Sequence, residues 1–413
     1  MPPTFSLLKR WLVGAGVVVV LVLLFRERLP GVTTSLRGSH GHKQIDDDGF
    51  LSERQMLSAV RQWKTREQIG KIVGLVFYQK RQQASILDCY LKRNLAKNGG
   101  VLDEVIWLQQ TEDVTDLDFL DTLVRSEAHY SRSPDAKSKT HKTTVYDGIQ
   151  DDLLYIRIDS GIVYIEDGTI LSMVHTRASR PDFYLVSANV VNQPLSSWLH
   201  LSLGAVKPYL PDNETPVAPE PEAKSKVDWR TSRLPPWDGP PDFDIDQWHP
   251  PINRQHLWLP VTGKEDHILD NTPISHALYD AHRDQGKYKW MTAAQQHYSL
   301  LENLERGGLM KYKFHLWNYH ELGMGSHLVA MTGKDINAAK PIGSTAEEHF
   351  TVTMPQKLGR PAVADGRGVA AYYSSRDQLE GLEHTDILER YRSFAQEHIC
   401  KGRILWTPDA EHV

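Results

Sequence analysis

The sequence predicts an α/β fold in which a mostly parallel sheet is flanked by helices. Short runs of apolar and β-branched residues alternate with amphipathic stretches, and this alternation favours parallel strands covered by helices on both faces. The composition agrees, because 40% hydrophobic and 24% charged residues are ordinary values for a globular chain of 413 residues. A third observation is a short acidic turn at Asp159, which lies between two strand-like runs.

Most of the predicted elements lie in the first half of the chain. The strands are short and rich in β-branched or aromatic residues, and the helices have apolar residues at a spacing of three and four. The sequence Asn98-Gly99-Gly100 ends the first helix, and residues 131–144 are basic and polar, as is typical of a surface loop. In order, the prediction is strand 72–77, helix 85–97, strand 105–108, helix 113–124, strand 153–158, strand 162–165, helix 167–179 and strand 183–188.

The second half begins with a segment of different character. Residues 208–251 contain too much proline and acid to sustain a regular helix or a central strand. Beyond them, the pattern predicts helix 293–305, strand 350–354 and helix 387–398. We expect the proline-rich segment to pack back on the domain as part of a binding wall, because it contains four large aromatic residues: Trp229, Trp237, Phe243 and Trp248.

The N-terminus carries a candidate membrane anchor. Residues 11–25 form an uncharged apolar run with basic residues on both sides. Fifteen helical residues span about 22 Å, which is short of a bilayer core of about 30 Å. Snorkelling of Lys9 and Arg10 closes part of that gap. A cleaved signal peptide is the alternative, although no small-residue cleavage site precedes the following flank.

Cysteine and glycosylation patterns bear on the compartment. Cys89 and Cys400 are the only cysteines. They predict either one bridge in an oxidising lumen or two buried thiols, and the sequence leaves both open. Asn213 begins an N-glycosylation tripeptide within a polar, proline-rich loop. Together with the anchor, these features favour a lumenal domain.

Charge and motifs exclude several classes of function. The formal net charge is −5, and no basic run is interleaved with aromatic residues, so nucleic acid is not an expected partner. The sequence contains no G-x-S-x-G, no phosphate-binding P-loop, no H-E-x-x-H and no G-x-G-x-x-G. Hydrolases, NTPases, zinc proteases and dehydrogenases that depend on those motifs are therefore excluded.

The acidic turn Asp159-Ser160-Gly161 is the most informative candidate site. A carboxylate at the carboxyl end of a buried strand opens onto the crevice where open α/β sheets bind ligands. Asp159 is therefore placed to meet a cation or a phosphate. Asp and Gly are also ordinary turn formers, so the alternative is a plain loop.

Several segments of the chain resemble one protein family. They are KIVGLVFYQKR, ILDCYLKRNL, GGVLDEVIWLQQTED, LYIRIDSGIVYIEDG, EEHFTVTMPQKLGRP and TDILERYRSFAQEHIC. Over residues 71–400 the chain is similar to uncharacterised fungal membrane-anchored proteins with a GT-A nucleotide-diphospho-sugar transferase fold. That family carries Asp-Asp-Asp where this chain has Asp159-Ser160-Gly161, so only the first acid of its Asp-x-Asp pattern is present.

The resemblance implies a nucleotide-diphosphate sugar donor at Asp159, with Mn²⁺ or Mg²⁺ neutralising the diphosphate. Without the last acid, the cation should bind weakly or give way to bases and backbone amides. Asp159 would then contact the ribose or act only as a turn residue. Lys80 and Arg81 follow the first strand and are candidate diphosphate ligands. Glu166 and Asp167 are interpreted as the start of the next helix, where acids suit the helix dipole.

A transferase also needs a base for the acceptor hydroxyl and a surface for the acceptor. Glu347 and Glu348 are the candidate catalytic bases, because a family-matched loop presents them. Trp317 and Tyr319 either shape an acceptor pocket or belong to the core. The alternatives to the two acids are four histidines, each otherwise a hydrogen-bonded structural residue: His315, His320, His327 and His349.

The expected protein is a glycosyltransferase of the secretory pathway. Its N-terminal helix would hold it in the endoplasmic reticulum or Golgi membrane, with the catalytic domain in the lumen, and the sequence does not identify the acceptor. The alternative is a non-catalytic GT-A-like binding protein that has lost its metal site. The predicted parts are a signal anchor at 1–28, a flexible stem at 29–49, a nucleotide-sugar-binding α/β half at 50–207, a proline-rich insertion at 208–260 and an acceptor-side half at 261–413.

Overall fold

The structure is a computed structural model that describes most of the chain after residue 50. The predicted anchor at 1–28 and stem at 29–49 lie outside the described residues. Among the helices that are described, none combines the length and the apolar character needed to cross a bilayer. The described ranges are 51–133, 146–212, 227–240, 242–251, 255–262, 272–276, 288–319, 322–342 and 346–408.

A mixed sheet of nine strands forms the centre of the described part. The strands, including two that form a separate small sheet, are β1 (Ile72–Tyr78), β2 (Glu104–Gln109), β3 (Tyr130–Arg132), β4 (Leu154–Asp159), β5 (Ile162–Ile165), β6 (Leu185–Val191), β7 (Tyr209–Pro211), β8 (Trp258–Pro260), β9 (Leu316–Asn318), β10 (Leu328–Thr332) and β11 (Ala362–Tyr372). The order across the large sheet is β3-β2-β1-β4-β10-β6-β11-β5, and β9 also pairs with β11. β5, β9 and β10 run antiparallel to the other six.

Helices flank this sheet. They are α1 (Glu53–Arg66), α2 (Arg81–Asn94), α3 (Val114–Arg125), α4 (Thr169–Ser179), α5 (Pro194–Ser202), α6 (Tyr288–Glu305), α7 (Gly333–Ala338), α8 (Ala346–Glu348), α9 (Met354–Leu358), α10 (Arg376–Leu382) and α11 (Ile387–His398). A π-helical turn, His349–Thr353, connects α8 and α9. Local sequence sets the helix starts: Ser52 and Gln55 form a capping box on α1, and the Asp113 side chain accepts from a backbone N–H of α3.

The sheet is curled, and the acidic turn lies where it closes on itself. Only Ser160 and Gly161 separate β4 from β5, yet β5 pairs with β11 at the far edge of the sheet. The edge of the sheet formed by β11 and β5 must therefore lie close to the carboxyl end of β4. Tyr372, the last residue of β11, accordingly lies against Gly161.

The two faces of β4 have different roles. Because successive side chains of a strand point to opposite faces, Leu154, Ile156 and Ile158 share one face and enter the larger hydrophobic core. Arg157 and Asp159 occupy the other face with Tyr155, which belongs to a second apolar cluster. The polar residues of β4 are thus all directed to one side of the sheet.

The α/β class is confirmed, and several predicted elements match it. The strand predicted at 162–165 and the helix predicted at 387–398 coincide with β5 and α11, and the strand predicted at 72–77 lies within β1. The expected parallel order holds for β2, β1 and β4. β3 also runs parallel beside β2, although two of its three residues belong to the segment predicted as a loop, 131–144. The rest of the sheet is mixed, because β10 lies antiparallel between β4 and β6.

The strand predicted at 350–354 is wrong. Its alternation of apolar and β-branched residues resembles a strand, but the segment is helical. Phe350 and Met354 are four residues apart and both buried, which matches a helical face equally well. The Thr351 hydroxyl donates to the Glu347 carbonyl at 2.8 Å, a hydrogen bond between successive turns of a helix.

The sequence prediction also missed β9, β10 and β11. β11 is the longest strand, but its segment Asp365-Gly366-Arg367-Gly368 reads as a turn. The structure accommodates this segment as an irregularity in the pairing with β6, between Asp365 and Val369. The Asp365 carboxylate is buried there and accepts hydrogen bonds from Arg367, which lowers its pKa.

The described parts of the proline-rich segment pack on the domain, as predicted. Trp229 and Trp237 are buried, and the pairing of β7 with β8 brackets the segment. Its role as a binding wall stays a prediction.

Cys89 and Cys400 form a disulfide bridge. The bridge joins α2 to the second residue after the end of α11, across 311 positions of sequence. Of the two alternatives that the sequence left open, the structure therefore shows the bridge.

A buried histidine predicts how stability depends on pH. His297 is fully buried, with its two ring nitrogens 2.9 Å from the Tyr391 hydroxyl and the Tyr373 carbonyl. Burial lowers its pKa to about 4. As pH falls below the unfolded value of about 6.5, the unfolded chain binds this proton first, so stability is lost between about pH 6.5 and pH 4. The loss at pH 5 should be about 2 kcal/mol.

We expect His297→Gln, whose amide can make both hydrogen bonds, to reduce the fall in the free energy of unfolding between pH 7 and pH 5. Denaturant unfolding at both pH values measures this. The exposed His249 provides the control, and His249→Gln should leave the fall unchanged. If the free energy of unfolding fell equally in wild type and His297→Gln, the prediction that His297 is buried in its neutral form would be contradicted.

Candidate functional site

Asp159 is the last residue of β4, at the carboxyl edge of the parallel part of the sheet. Its backbone N–H donates to the His327 carbonyl at 2.8 Å, and its carboxylate accepts from the Gly161 N–H at 2.9 Å. The following residue, Ser160, is buried and accepts from the Gln79 N–H at 3.1 Å. These bonds tie the turn to the ends of two neighbouring strands, where open α/β sheets bind ligands.

Arg157 lies two residues before Asp159 and on the same face of β4. Its guanidinium donates to the Ser326 carbonyl and sits 4.4 Å from the centre of the Phe77 ring. Its Nε atom is buried and has no hydrogen-bond partner in the described part of the chain. None of the ion pairs between described residues involves Arg157.

His327 and Tyr372 form a stacked pair beside Asp159. Their ring centres are 3.7 Å apart and the planes differ by 9°. Burial is the main cause that lowers the pKa of His327, while the nearby Glu347 and Asp159 charges oppose it. Burial likewise raises the pKa of Tyr372 far above its usual range, with Asp159 and Glu347 adding to the effect. At neutral pH both rings are therefore uncharged.

Tyr372 occupies the space beside Gly161, the last residue of the acidic turn. A Cβ atom added at Gly161 would lie 2.6 Å from a ring carbon of Tyr372, closer than van der Waals contact allows. An aspartate at position 161 therefore requires the stacked pair of His327 and Tyr372 to move.

The described residues around Asp159 supply few ligands for a divalent cation. Among the described residues, no three His, Cys, Asp or Glu side chains converge as metal ligands. Asp159 is the one acid of the turn, its Oδ1 already accepts from Gly161, and the nearby Arg157 is itself a cation. Mg²⁺ and Mn²⁺ prefer several oxygen ligands, which this donor set does not supply.

The two predicted diphosphate bases have different surroundings. Arg81 pairs with Asp116 at 2.8 Å and lies 5.7 Å from the Trp406 ring centre. Lys80 is exposed at the N-cap of α2. Arg81 therefore has a structural partner for its charge, whereas Lys80 extends into solvent. Their predicted role in phosphate binding stays a prediction.

Of the two candidate bases, Glu347 is the one near Asp159. Both Glu347 and Glu348 are exposed in α8. The Glu347 charge adds to the rise that burial causes in the pKa values of Tyr319 and Tyr372, and it opposes the lowering of the His327 pKa by burial. Its carboxylate therefore lies within electrostatic reach of all three side chains. Neighbouring residues of a helix point in directions about 100° apart, so Glu348 faces a different way.

The other described histidines of the prediction have different surroundings. His315 is exposed, and a ring nitrogen of His349 lies 2.7 Å from the Ala339 carbonyl, to which it donates. His320 lies outside the described residues. Only His327 therefore joins the candidate site among the three that are described.

Glu166 and Asp167 have structural roles. They precede α4, as predicted, and the Thr169 N–H donates to the Glu166 carbonyl. Glu166 pairs with Lys313 at 2.8 Å, and Asp167 pairs with Arg93. Their interpretation as residues at the start of the helix agrees with this placement.

An aromatic cavity of about 570 Å³ lies between α5 and β9. The cavity is lined by five apolar side chains, two of which are tryptophans. The lining residues are Trp198, Leu199, Phe314, Leu316 and Trp317. Trp317 thus lines a cavity, as one of its two predicted roles requires. Tyr319 is buried in the second apolar cluster, and its hydroxyl has no hydrogen-bond partner among the described residues.

Sequence reasoning missed Arg157, Tyr372 and Asn192. Arg157 could have been found from its i, i+2 spacing to Asp159, which places both on one face of a strand. Asn192 follows β6 with a positive φ of 66°, and its side-chain amide donates to the Tyr372 and Tyr373 carbonyls. This left-handed residue fixes the end of β11 against the end of β6, and no local pattern predicts it.

Comparison of the chain with protein-family models and with curated protein sequences finds no match. The resemblance to the fungal GT-A-like family therefore stays a prediction.

Proposed function

We propose that this protein is a glycosyltransferase that binds a nucleotide-diphosphate sugar at the carboxyl edge of the sheet. The observation that carries the proposal is that Arg157, Asp159 and Glu347 all lie within electrostatic reach of the stacked His327 and Tyr372. A base, an acid and polar rings are the side chains that recognise a sugar nucleotide.

The topology supports this assignment. Four parallel strands, β3-β2-β1-β4, end at the same edge, and the acidic turn follows the last of them. The antiparallel β10 then begins beside the turn at His327 and Leu328. We propose that this arrangement is a GT-A-like nucleotide-sugar-binding half, with the remaining strands on the acceptor side.

The reaction that fits is transfer of the sugar to an acceptor hydroxyl. The acceptor oxygen attacks the anomeric carbon, the bond from that carbon to the diphosphate oxygen breaks, and the diphosphate leaves with the electron pair. Glu347 accepts the acceptor proton as general base. The aromatic cavity with Trp198 and Trp317 would bind the acceptor, because tryptophan rings stack on the apolar faces of sugars.

The proposed location is the lumen of the endoplasmic reticulum or Golgi, with residues 1–28 as membrane anchor. The bridge between Cys89 and Cys400 supports it, since such bridges persist in oxidising compartments.

A second candidate is a non-catalytic protein that binds a nucleotide sugar. The observation in its favour is the single acid of the turn, with Tyr372 in the space beside Gly161. Both candidate functions include binding of the nucleotide sugar. Only the glycosyltransferase would also transfer the sugar to an acceptor.

A thermal-shift panel tests the proposal. The full-length protein is heated with each of several nucleotide sugars, with Mn²⁺ or with EDTA. A donor at about 100 times its Kd should stabilise the fold by about 2.7 kcal/mol and raise the Tm measurably. The matched controls are the corresponding free sugars and nucleoside monophosphates, which lack the diphosphate. Absence of any shift across the donors would contradict the proposal.

A further inference from the structure

Among the described residues, Arg157 has no anionic partner within ion-pair distance, and its side chain is half-buried. Its guanidinium contacts the Ser326 carbonyl and the Phe77 ring, and both of these groups are neutral. Partial burial of an unpaired charge costs free energy, so native proteins pair buried bases with acids or use them at a binding site. Arg81 and Arg177 show the paired arrangement, each with an aspartate at 2.8 Å.

Unsatisfied hydrogen-bonding groups accompany this cation. Arg157 Nε, the Ser326 hydroxyl and the Tyr319 hydroxyl are buried and lack hydrogen-bond partners in the described chain. Ser326 and Tyr319 are each 1% exposed. The Ser326 carbonyl holds the Arg157 guanidinium, and Tyr319 lies within reach of the Glu347 charge. Buried polar groups are normally satisfied, and here the unsatisfied Ser326 hydroxyl belongs to the residue that holds the guanidinium, so the surroundings of Arg157 can accommodate a polar ligand.

The surroundings of Arg157 favour an anion over a cation as that ligand. Arg157 donates through a planar fork, and among the described residues only its Nη1 has a hydrogen-bond partner. Asp159 lies on the same face, but its Oδ1 already accepts from the Gly161 N–H, and the two side chains form no ion pair. His327 and Tyr372 are neutral and add no competing charge.

We infer that the Arg157 guanidinium binds the diphosphate of the nucleotide sugar directly, so that this site needs no divalent cation. The inference rests on the proposed function and identifies the group that neutralises the leaving diphosphate. Arg157 can donate two parallel N–H bonds to phosphate oxygens, as arginines do at phosphate sites. When the bond to the anomeric carbon breaks, the charge that develops on the departing oxygen lies next to a fixed cation.

Inorganic pyrophosphate is the probe, because it presents the diphosphate without base or sugar. Binding to full-length wild-type protein is measured by calorimetry in EDTA, and again with Mn²⁺. We expect wild type to bind pyrophosphate in EDTA, with an affinity that falls as salt rises. Arg157→Gln should bind about 10- to 100-fold more weakly, and Arg157→Lys should fall between them.

Arg180 provides the matched control. It also lies over an aromatic ring, 4.1 Å from the centre of Phe183, but it is paired with Asp182 at 2.7 Å. Arg180→Gln should bind pyrophosphate as wild type does. Unliganded Tm values of all variants show whether each is folded, and Arg157→Lys keeps a charge at the site if Arg157→Gln is unstable.

The outcomes separate this inference from the proposed function. Equal pyrophosphate affinity in wild type and folded Arg157→Gln, or binding that requires Mn²⁺, overturns the role of Arg157 and leaves donor binding possible. Loss of pyrophosphate binding in Arg157→Gln, with no shift by any nucleotide sugar, supports the anion site and contradicts the transferase. Failure of wild type to bind pyrophosphate under both conditions overturns the anion site.

Discussion

Glu347→Gln should lower the rate of sugar transfer by about 10²- to 10⁴-fold, which is the usual contribution of a general base. The amide keeps the size of the side chain but cannot take the acceptor proton. Donor binding should stay close to wild type, because Glu347 is assigned to the acceptor and not to the diphosphate. Steady-state kinetics with the donor found in the thermal-shift panel measure kcat, and calorimetry measures the donor Kd.

Glu348→Gln is the matched control for this change. Glu348 is the next residue of the same short helix and equally exposed, but the electrostatic effects on His327 and Tyr372 come from Glu347. We expect Glu348→Gln to transfer sugar at nearly the wild-type rate. Equal losses in both variants would mean that the helix, and not one carboxylate, is required. Full activity of Glu347→Gln would show that Glu347 is not the general base.

The parallel part of the fold could be predicted because its signals are local. β1 is a run of seven residues in which every side chain but Phe77 is buried, and its pattern identifies it without knowledge of its neighbours. β11 could not be found this way. Its Asp365 and two glycines suit a turn, and the strand persists because β6, β9 and β5 pair with it on either side of the irregularity. Pairing with distant strands therefore determines that this segment is a strand, and local sequence does not reveal the mixed order of the sheet.

The candidate site likewise contains one residue that the local sequence identifies and others that only the fold brings to it. Asp159 was predictable, since a buried strand followed by an acidic turn is visible in a dozen residues. The partners of Asp159 come from distant segments: His327 precedes β10, Tyr372 ends β11, and both strands were missed. Only the curl of the sheet brings these segments to the turn. Arg157 was visible beside Asp159, but only the folded chain shows that no described residue pairs with its charge.

Asp159→Asn should weaken binding of the nucleotide sugar by about 10- to 100-fold, while binding of inorganic pyrophosphate stays equal or becomes slightly tighter. A hydrogen bond from a sugar or ribose hydroxyl to a carboxylate is worth about 1.5–3 kcal/mol, which the neutral amide loses. Pyrophosphate lacks that hydroxyl, and removing a negative charge beside Arg157 reduces repulsion of the anion. Calorimetry with both ligands in EDTA measures the two affinities. The asparagine oxygen can still accept from the Gly161 N–H, so the turn should persist.

The exposed, salt-bridged Asp182 gives the control, and Asp182→Asn should bind both ligands as wild type does. If Asp159 instead holds a cation, Asp159→Asn should lose pyrophosphate binding that wild type shows only with Mn²⁺. That result would contradict the direct contact between Arg157 and the diphosphate. If neither ligand responds to Asp159→Asn under either condition, the carboxylate only stabilises the turn through Gly161. The comparison of two ligands in one variant therefore distinguishes an acid that recognises a hydroxyl, an acid that holds a metal and an acid that shapes a loop.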